Sequence, residues 1–342
     1  MERMKAVVLQ APGDLAVREI AMPEMGRYQA LVRMVAAGVC SATDRKLFRA
    51  EPPFAPDYPS VLGHEAVGCV IELGEGVGKF AIGDRVLRPC AVYPGMRHDG
   101  VGSSWGGFAE YGLVTDHEAW LLENPSNPAV VPGYAKMQQK VPEWLDDESA
   151  TLLITWKETY SVLRDAGDLA GKAVSILGDG AVGLSFAYWA RFLGASSIEV
   201  VGKRDFRLER ALRLGADSVV RITREGTYSG GRDFDVVVDT IGNDESVARS
   251  LPRLRDYGQI LVYGIGSTFE TRFDRSLGPV RWSYVQANPN EAAVHDEVLG
   301  VLKSHPGNPA DWVTETISID GILAGFKHLE EPASLKALIR FS

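Results

Sequence analysis

The second half of the chain alternates short apolar runs with amphipathic segments, and this alternation predicts its fold. An apolar run at 174–177 leads into a helical pattern that extends to Leu193, and a second apolar run covers 198–201. The alternation continues, with helices predicted at 204–214 and 244–255 and strands at 218–221, 234–239 and 258–263. Strands and helices in this order form a parallel, doubly wound α/β sheet.

The first half follows a different pattern, in which short strands are separated by glycine and proline. Strands are predicted at 4–10, 15–20 and 29–37, with further β character at 60–73, 83–92 and 106–114. A glycine-rich loop covers 94–107, and a helical pattern follows at 147–166. The tail is predicted to contain helices at 290–303 and 319–327 and strands at 313–318 and 335–341. The first half is therefore interpreted as an irregular β-rich domain.

Length and composition narrow the possible classes of protein. The 342 residues are enough for about two domains. The net charge of −9 argues against a nucleic-acid partner, and no apolar run approaches the ~20 residues that span a bilayer. The N-terminus lacks a secretory pattern, and three cysteines, Cys40, Cys69 and Cys90, are too few for a disulfide framework. We therefore expect a cytoplasmic protein with no nucleic-acid or membrane partner.

The turn after the first strand of the predicted sheet carries the sequence GDGAVG. Gly178 permits a tight turn, Gly180 lets backbone N–H groups approach a pyrophosphate, and Gly183 lets the helix pack close to the strand. Ala181 and Val182 complete the turn, and the N-terminus of the helix behind it favours phosphate. Because the motif stands between a strand and a helix, it predicts a Rossmann dinucleotide-binding site.

The end of the second strand predicts which dinucleotide is bound. NAD sites usually place Asp or Glu there, about 20 residues past the turn, to bind the ribose hydroxyls. This chain has Gly202 at that place, followed by Lys203 and Arg204. A 2′-phosphate would meet no carboxylate at this position, and both cations can bind one. We therefore predict NADP(H) as the cofactor, with a solvated basic loop as the alternative.

Three residues of the first half have the chemistry of a catalytic metal site. These are Cys40 in GVCSATD and the pair His64 and Glu65 in GHEAVG. Thiolate, imidazole and carboxylate suit a catalytic zinc, which takes three protein ligands and keeps a fourth position open. Such a metal polarises an alcohol or carbonyl oxygen. Taken singly, Cys40 would more often be a small buried residue and His64 a hydrogen-bonded structural one.

The motifs LGHEAVG, GVCSATD, GGFAEY and GDGAVG together resemble the medium-chain dehydrogenase/reductase family, and specifically its zinc-dependent alcohol and polyol dehydrogenase branch. The resemblance runs nearly from end to end. It implies a GroES-like catalytic domain at 1–152, a Rossmann domain at 153–287 and a return to the catalytic domain at 288–342, with the active site in the cleft between them. It also implies a homodimer or homotetramer, joined at the sheet edge formed by 259–263.

The same resemblance assigns roles to individual residues of the first half. Cys40 and His64 match the family's first zinc ligands, and Glu65 matches a glutamate that is a ligand in some states. Thr43 matches the hydroxyl that relays the substrate proton. Asp44 belongs to the same motif and is expected to fix the loop.

The chain departs from the family pattern in three places. The cysteine-rich lobe of the structural zinc is absent, so at most one zinc is expected per chain. The Cys40 motif has one additional residue before Thr43, which makes Ser41 a second candidate for the relay. The usual third ligand position, thirteen residues before Gly167, is Ile154, which cannot bind a metal.

Two residues could replace the missing third ligand. Glu158 lies one helical turn beyond Ile154, and it could bind zinc, lie beside the nicotinamide, or pair with a cation such as Arg164. Alternatively, Glu65 completes the ligand set. Further candidates near the substrate are Cys90, His98, Asp99 and Trp105, each with a packed or solvated alternative.

These features predict an NADP(H)-dependent zinc alcohol dehydrogenase. The expected reaction interconverts a small secondary alcohol and a ketone by hydride transfer, with a polyol, sugar or cyclitol favoured by Glu158, His98 and Asp99. One alternative is a zinc-free NADPH-dependent reductase of an activated double bond or quinone, which Ile154 favours. Another is a protein that binds NADPH without turnover.

Overall fold

The chain divides into two compact units, each with its own core. A computed structural model describes residues 2–40, 42–53, 56–93, 95–124, 133–222, 233–266, 270–328, 331 and 333–341. The first unit comprises Met1–Ile154 and Pro306–Ser342, and the second comprises Thr155–His305. No helix in the described part is both long enough and apolar enough to span a bilayer.

The first unit is rich in short strands. Before the boundary it contains β1 (Arg3–Ala11), β2 (Asp14–Ala21), β3 (Gln29–Val39), α1 (Thr43–Arg49), β4 (Ser60–Val61), β5 (Glu65–Leu73), β6 (Arg85–Leu87), β7 (Gly102–Ser103), β8 (Tyr111–Thr115), α2 (His117–Glu123) and β9 (Lys140–Val141). Helix α3 (Asp147–Asp165) begins in this unit and ends in the second. The sequence did not predict α1 and α2, because seven residues are too few to establish a helical period.

The second unit alternates strands with helices. It contains β10 (Ala173–Leu177), α4 (Ala181–Phe192), β11 (Ser197–Gly202), α5 (Asp205–Arg213), β12 (Ser218–Arg221), β13 (Phe234–Asp239), α6 (Asp244–Ser250), β14 (Leu254–Val262), β15 (Trp282–Gln286) and α7 (His295–Ser304). The chain then re-enters the first unit with β16 (Val313–Ser318), α8 (Ile322–His328) and β17 (Lys336–Arg340).

Two sheets form the first unit. One has the order β2-β1-β4-β7, and the other has the order β16-β17-β3-β5-β6-β9 with β8 also paired to β3. Strand β3 therefore joins the N-terminal strands to β17 from the C-terminal return. Most of its eleven residues are buried. This sheet places the ends of β3, β5 and β17 next to one another.

The described strands of the second unit form one parallel sheet in the order β12-β11-β10-β13-β14-β15. This order confirms the predicted doubly wound fold. All five residues of β10 are buried, as expected for a central parallel strand. The order reverses between β10 and β13, and ligands of such sheets bind at the carboxyl ends of the strands beside that point.

The sequence interpretation of the sheet edge was wrong. Residues 259–263 were expected to form the edge, but β15 pairs in parallel with β14 and covers it. Among the described strands β15 is therefore the edge at this end of the sheet, and β12 is the edge at the other end. The sequence missed β15 because none of its five residues is fully buried, so its apolar signal is weak.

The second unit extends to His305, beyond the return predicted at residue 288. The additional segment belongs to this unit because it packs on its helices. Tyr160 in α3 donates a hydrogen bond to Glu297 in α7, and the Tyr188 hydroxyl in α4 donates to the His305 carbonyl at 2.6 Å.

Candidate active site

Cys40, His64 and Glu65 come together in the first unit. Cys40 follows β3, and the His64–Glu65 pair stands at the start of β5, which is the antiparallel neighbour of β3. One potential ligand atom from each of the three residues lies within 4.8 Å of the others. His64 and Glu65 are buried and Cys40 is half-buried. Strand pairing thus places side chains from two motifs in one cluster.

Asp44 contacts both Cys40 and His64. Its carboxylate is fully buried, and Oδ2 accepts a hydrogen bond from the Cys40 backbone N–H at 2.8 Å. Its other oxygen lies 3.3 Å from Nδ1 of His64. Burial lowers the pKa of His64, but Asp44 and Cys40 outweigh it and raise that pKa well above its ordinary value. The same anionic surroundings favour a metal cation, and Asp44 leaves Nε2 of His64 to face the cluster.

Lys336 binds the carboxylate of Glu65, the third member of the cluster. Its Nζ, in β17, donates a hydrogen bond to Oε2 of Glu65, and both side chains are buried. Burial lowers the pKa of Lys336, but Glu65 and Cys40 raise it, and the net direction is upward. Gly38 lies beneath this pair, and a Cβ there would lie 2.7 Å from Glu65 Oε2, so a larger residue would displace this carboxylate oxygen. The other carboxylate oxygen, Oε1, lies 3.9 Å from Nε2 of His64.

The cluster fits a catalytic zinc ion. Its donor set is a thiol, an imidazole and a carboxylate, which is a set that zinc accepts with a fourth position left open. Asp44 supplies the carboxylate behind the histidine that such sites usually have. Ile154 is fully buried and offers no donor atom. When bound here, zinc would act as a Lewis acid on an alcohol or carbonyl oxygen.

Thr43 and Ser41 are the two candidates for the proton relay. Thr43 begins α1, is half-buried, and its backbone N–H donates to Sγ of Cys40 at 3.5 Å. Thr43 therefore lies beside the cluster, and its role as a relay stays a prediction. Ser41 lies outside the described residues.

Trp105 is the loop residue that reaches the cluster. Its ring lies 5.3 Å from the ring of His64, centroid to centroid, and it has a positive φ of 68°. The ring is 39% exposed, so it forms a wall that faces both the histidine and solvent. From the sequence, a position near the substrate and a solvated loop were both open for this residue.

The other loop candidates have structural partners. Asp99 accepts a hydrogen bond from the Ala21 backbone N–H at 2.9 Å and pairs with Arg3 at 3.2 Å. His98 exchanges backbone hydrogen bonds with Val101, and Cys90 is buried with its thiol directed at the Val92 carbonyl. These contacts account for Asp99 and Cys90 without a substrate.

The glycine turn of the second unit has the geometry that a dinucleotide requires. Gly178 has φ of 121°, and a Cβ there would lie 2.0 Å from Oγ1 of Thr240. A Cβ at Gly183 would lie 2.0 Å from the Gly178 carbonyl oxygen, so helix α4 packs directly on the turn. Around Gly180 no described atom lies within 4 Å of such a Cβ. That open space, at the start of α4, fits a pyrophosphate.

The loop after β11 holds the predicted phosphate-binding cations. Gly202 ends β11, Lys203 is exposed, and the Arg204 side chain is 34% exposed. The loop is held by Asp179, a residue that was not predicted to have a role. Oδ2 of Asp179, in the glycine turn, accepts hydrogen bonds from the backbone N–H groups of Lys203 and Arg204, both at 2.8 Å. A carboxylate inside the glycine motif, combined with glycine at the strand end, was the available signal.

Comparison with known proteins identifies the family. The family model "Alcohol dehydrogenase GroES-like domain" matches residues 26–125, and "Zinc-binding dehydrogenase" matches residues 181–279. A Mycobacterium tuberculosis protein described as a zinc-binding alcohol dehydrogenase is 32% identical over 77% of this chain and 68% of its own length. The chain belongs to the medium-chain dehydrogenase/reductase family. It is an oxidoreductase of the zinc-binding alcohol dehydrogenase group, which acts on CH–OH groups.

Other members of the family agree with this placement. Sorbitol dehydrogenase of Bacillus subtilis is 27% identical over 79% of this chain and 77% of its own. The structure of a Sinorhizobium meliloti protein described as a zinc-binding dehydrogenase bound to NADP superposes with a TM-score of 0.77, at 25% identity and over the whole of both chains. Alcohol dehydrogenase from Thermus sp. ATN1 gives a TM-score of 0.79 at 25% identity, over 98% of this chain and 99% of that one.

The role of Glu158, a candidate to replace the ligand missing at Ile154, is not decided by its contacts. It lies in the part of α3 that belongs to the second unit, where its Oε2 accepts a hydrogen bond from the Tyr263 hydroxyl at 2.8 Å. Arg164, the cation considered as its partner, instead lies 3.2 Å from Asp165 and 3.4 Å from Glu297. The proposed role of Glu158 in metal binding stays a prediction.

Proposed function

We propose that this dehydrogenase uses NADP(H) and one zinc ion to interconvert a secondary alcohol and a ketone, with a polyol, sugar or cyclitol favoured. The cluster of Cys40, His64 and Glu65 is the observation that carries the proposal, because it provides three zinc donors at hydrogen-bond distance from supporting groups. The nicotinamide would supply or accept the hydride when bound.

The residues around the cluster support a defined division of work. Asp44 orients His64 and fixes the Cys40 loop, and Lys336 holds one oxygen of Glu65 so that the other faces His64. We propose Glu65 as the third zinc ligand, since its carboxylate belongs to the same cluster as Cys40 and His64 and its other oxygen, Oε1, lies 3.9 Å from Nε2 of His64. Thr43 would carry the substrate proton away through its hydroxyl, because the residue lies next to Cys40, to whose Sγ its backbone N–H donates.

The preference for a polyol rests on the similarity of the chain to sorbitol dehydrogenases and on the position of the Trp105 ring beside His64. Sorbitol dehydrogenases are among the similar proteins, and an aromatic ring beside a zinc ligand offers a face for the C–H groups of a sugar or cyclitol. Asp99 no longer supports this preference, because its carboxylate is bound to Arg3 and Ala21. A panel of polyols and simple secondary alcohols, compared by kcat/KM, tests the substrate class.

The cofactor preference is tested by removing the two loop cations. In the variants Lys203→Ala and Arg204→Ala, we expect NADPH binding to weaken by roughly tenfold or more each, since a charge-assisted phosphate contact is lost. NADH binding should change little. Lys172→Ala, at the opposite end of β10, is a matched control that should alter neither. Equal losses for both cofactors would contradict NADP(H) specificity.

A cytoplasmic homodimer or homotetramer, which the family resemblance implies, completes the proposal. The edge of the dinucleotide sheet available for such pairing is β15 rather than residues 259–263. Sedimentation of the wild type and of a Val285→Asp variant tests this edge, since a charge on an edge strand opposes pairing. An unchanged oligomer in the variant would exclude β15.

A further inference from the structure

The carboxylate of Asp179 lies where the loops at the ends of β10 and β11 meet. The residue is only 7% exposed. Oδ2 accepts the two backbone hydrogen bonds from Lys203 and Arg204, and Oδ1 lies 3.9 Å from a guanidinium nitrogen of Arg204 and of Arg207. Both oxygens therefore face donors or cations that belong to the protein.

Asp179 and Gly202 depend on each other sterically. A Cβ on residue 202 would lie 2.5 Å from Cβ of Asp179 and 2.7 Å from its Cγ and Oδ2. Real Cβ atoms do not approach other atoms so closely, and the obstacle is the near end of a short side chain. An Asp or Glu at the end of β11, which is usual in NAD sites, cannot coexist with Asp179 in this position.

The carboxylate is thus displaced from the strand end to the glycine turn, and this changes what it can do. The strand-end carboxylate of an NAD site keeps oxygens available for the ribose hydroxyls. Asp179 uses one oxygen for two backbone N–H groups and turns the other to two guanidiniums. The cations of this loop also outnumber the carboxylate, and Lys203 and Arg204 reach solvent.

We propose that Asp179 is the positioning residue for cofactor selection. It holds the backbone of 202–204 so that Lys203 and Arg204 face a 2′-phosphate, and together with Gly202 it excludes the strand-end carboxylate that selects NADH. This inference rests on the proposed NADP(H) dependence and adds the residue that enforces it.

The test is a carboxylate exchange between the two positions. The variants are Asp179→Gly, Gly202→Asp and the double variant with both changes. Dissociation constants for NADPH, NADH and 2′-AMP are measured by calorimetry without substrate, so the readout does not depend on turnover. Thermal unfolding of each variant checks that the second unit still folds.

The single changes and the double change have different expected results. Asp179→Gly should weaken NADPH and 2′-AMP by roughly tenfold and leave NADH within about threefold, since the loop loses its anchor. Gly202→Asp alone should weaken both dinucleotides by roughly tenfold or more because of the clash. The double variant should bind NADH more tightly than Gly202→Asp does and should prefer NADH to NADPH.

Two further variants separate position from charge. Asp179→Asn keeps an oxygen that can accept the backbone N–H groups, so NADPH binding should stay within about threefold of wild type. Asp205→Asn removes a charge from the same loop, where the native carboxylate pairs with Arg221 at 2.9 Å, and should leave the NADPH-to-NADH ratio within about twofold.

The outcomes that overturn the inference differ from those that overturn the function. If wild type prefers NADPH but the effects of the two single changes simply add in the double variant, the proposed role of Asp179 fails and NADP(H) dependence stands. Tighter NADPH binding by Asp179→Asn would also overturn it, because the carboxylate would then merely repel the phosphate. If wild type prefers NADH, both the function and the inference fail.

Discussion

Two buried aspartates, one in each unit, hold a functional loop in the same manner. Asp44 accepts the Cys40 N–H and faces the ring of His64, while Asp179 accepts the N–H groups of Lys203 and Arg204 and faces two guanidiniums. Asp44 stands at the place the family motif assigns. Asp179 occupies the space that a side chain at Gly202, the last residue of β11, would need.

The two aspartates use the same kind of contact, but the loops that they support present different groups. At the metal cluster, the supporting carboxylate preserves a donor set of fixed chemistry. At the cofactor loop, the same kind of contact presents cations instead of a carboxylate. A buried aspartate with backbone hydrogen bonds is therefore a support, and the groups it holds decide the function.

The largest expected effect is the loss of stability when Lys336, the cation paired with Glu65, is replaced. Lys336→Met leaves the Glu65 carboxylate buried without its partner, which typically costs about 3–5 kcal/mol of unfolding free energy. Chemical denaturation in the presence of a chelator measures this loss. Adding Glu65→Gln should recover part of the stability, since the uncompensated charge is then removed. A single variant as stable as wild type would contradict a buried ion pair.

The next effect, on zinc affinity, distinguishes the role of Asp44 from that of Asp179. Asp44→Ala should weaken zinc binding by roughly 10–100-fold, because His64 loses the group that orients it. NADPH binding should not change, since Asp44 lies in the first unit. Competition with a chromophoric chelator measures zinc affinity, and calorimetry measures the dinucleotide. Zinc affinity equal to that of wild type would reduce Asp44 to a loop support.

The smallest effect uses a third aspartate as a comparison. Asp116 is buried, caps α2 through Ala119, and accepts the backbone N–H groups of Gly78 and Lys79. Burial raises its pKa, but these hydrogen bonds outweigh that effect and place the pKa below its ordinary 3.8. Asp116→Ala should cost about 1 kcal/mol of stability at neutral pH.

The pH dependence of that cost follows from the direction of the pKa. Because the folded pKa is lower than the unfolded one, the contribution of Asp116 is complete above the unfolded pKa and disappears as pH falls through the folded pKa. In denaturation of wild type and variant between pH 6 and about pH 3, the difference in stability should therefore narrow as the pH falls below about 3.8. A constant gap across this range would contradict the assignment.

Features that are local in the sequence could be predicted. The glycine turn lies between a strand and a helix, so GDGAVG was enough to predict the turn between β10 and α4. The Cys40 and His64 motifs located the metal cluster through the family resemblance. Short elements such as α1 and β15 gave too weak a pattern to be seen.

Contacts between distant segments could not be predicted. Asp179 is 24 residues from Lys203, and Lys336 is 271 residues from Glu65. Their partners follow from sheet order and loop geometry rather than from spacing along the chain. For the same reason the sequence could show that Ile154 is not a ligand but left Glu65 and Glu158 open as replacements.

Zinc content per chain tests the central claim most directly. Wild type, Glu65→Gln and Glu158→Ala are purified without chelators, and their metal is measured by elemental analysis. We predict about one zinc in wild type and in Glu158→Ala, and its loss from Glu65→Gln. Zinc lost from Glu158→Ala but retained by Glu65→Gln would make Glu158 the third ligand. An active wild type without zinc would contradict the metal centre itself and favour a zinc-free reductase.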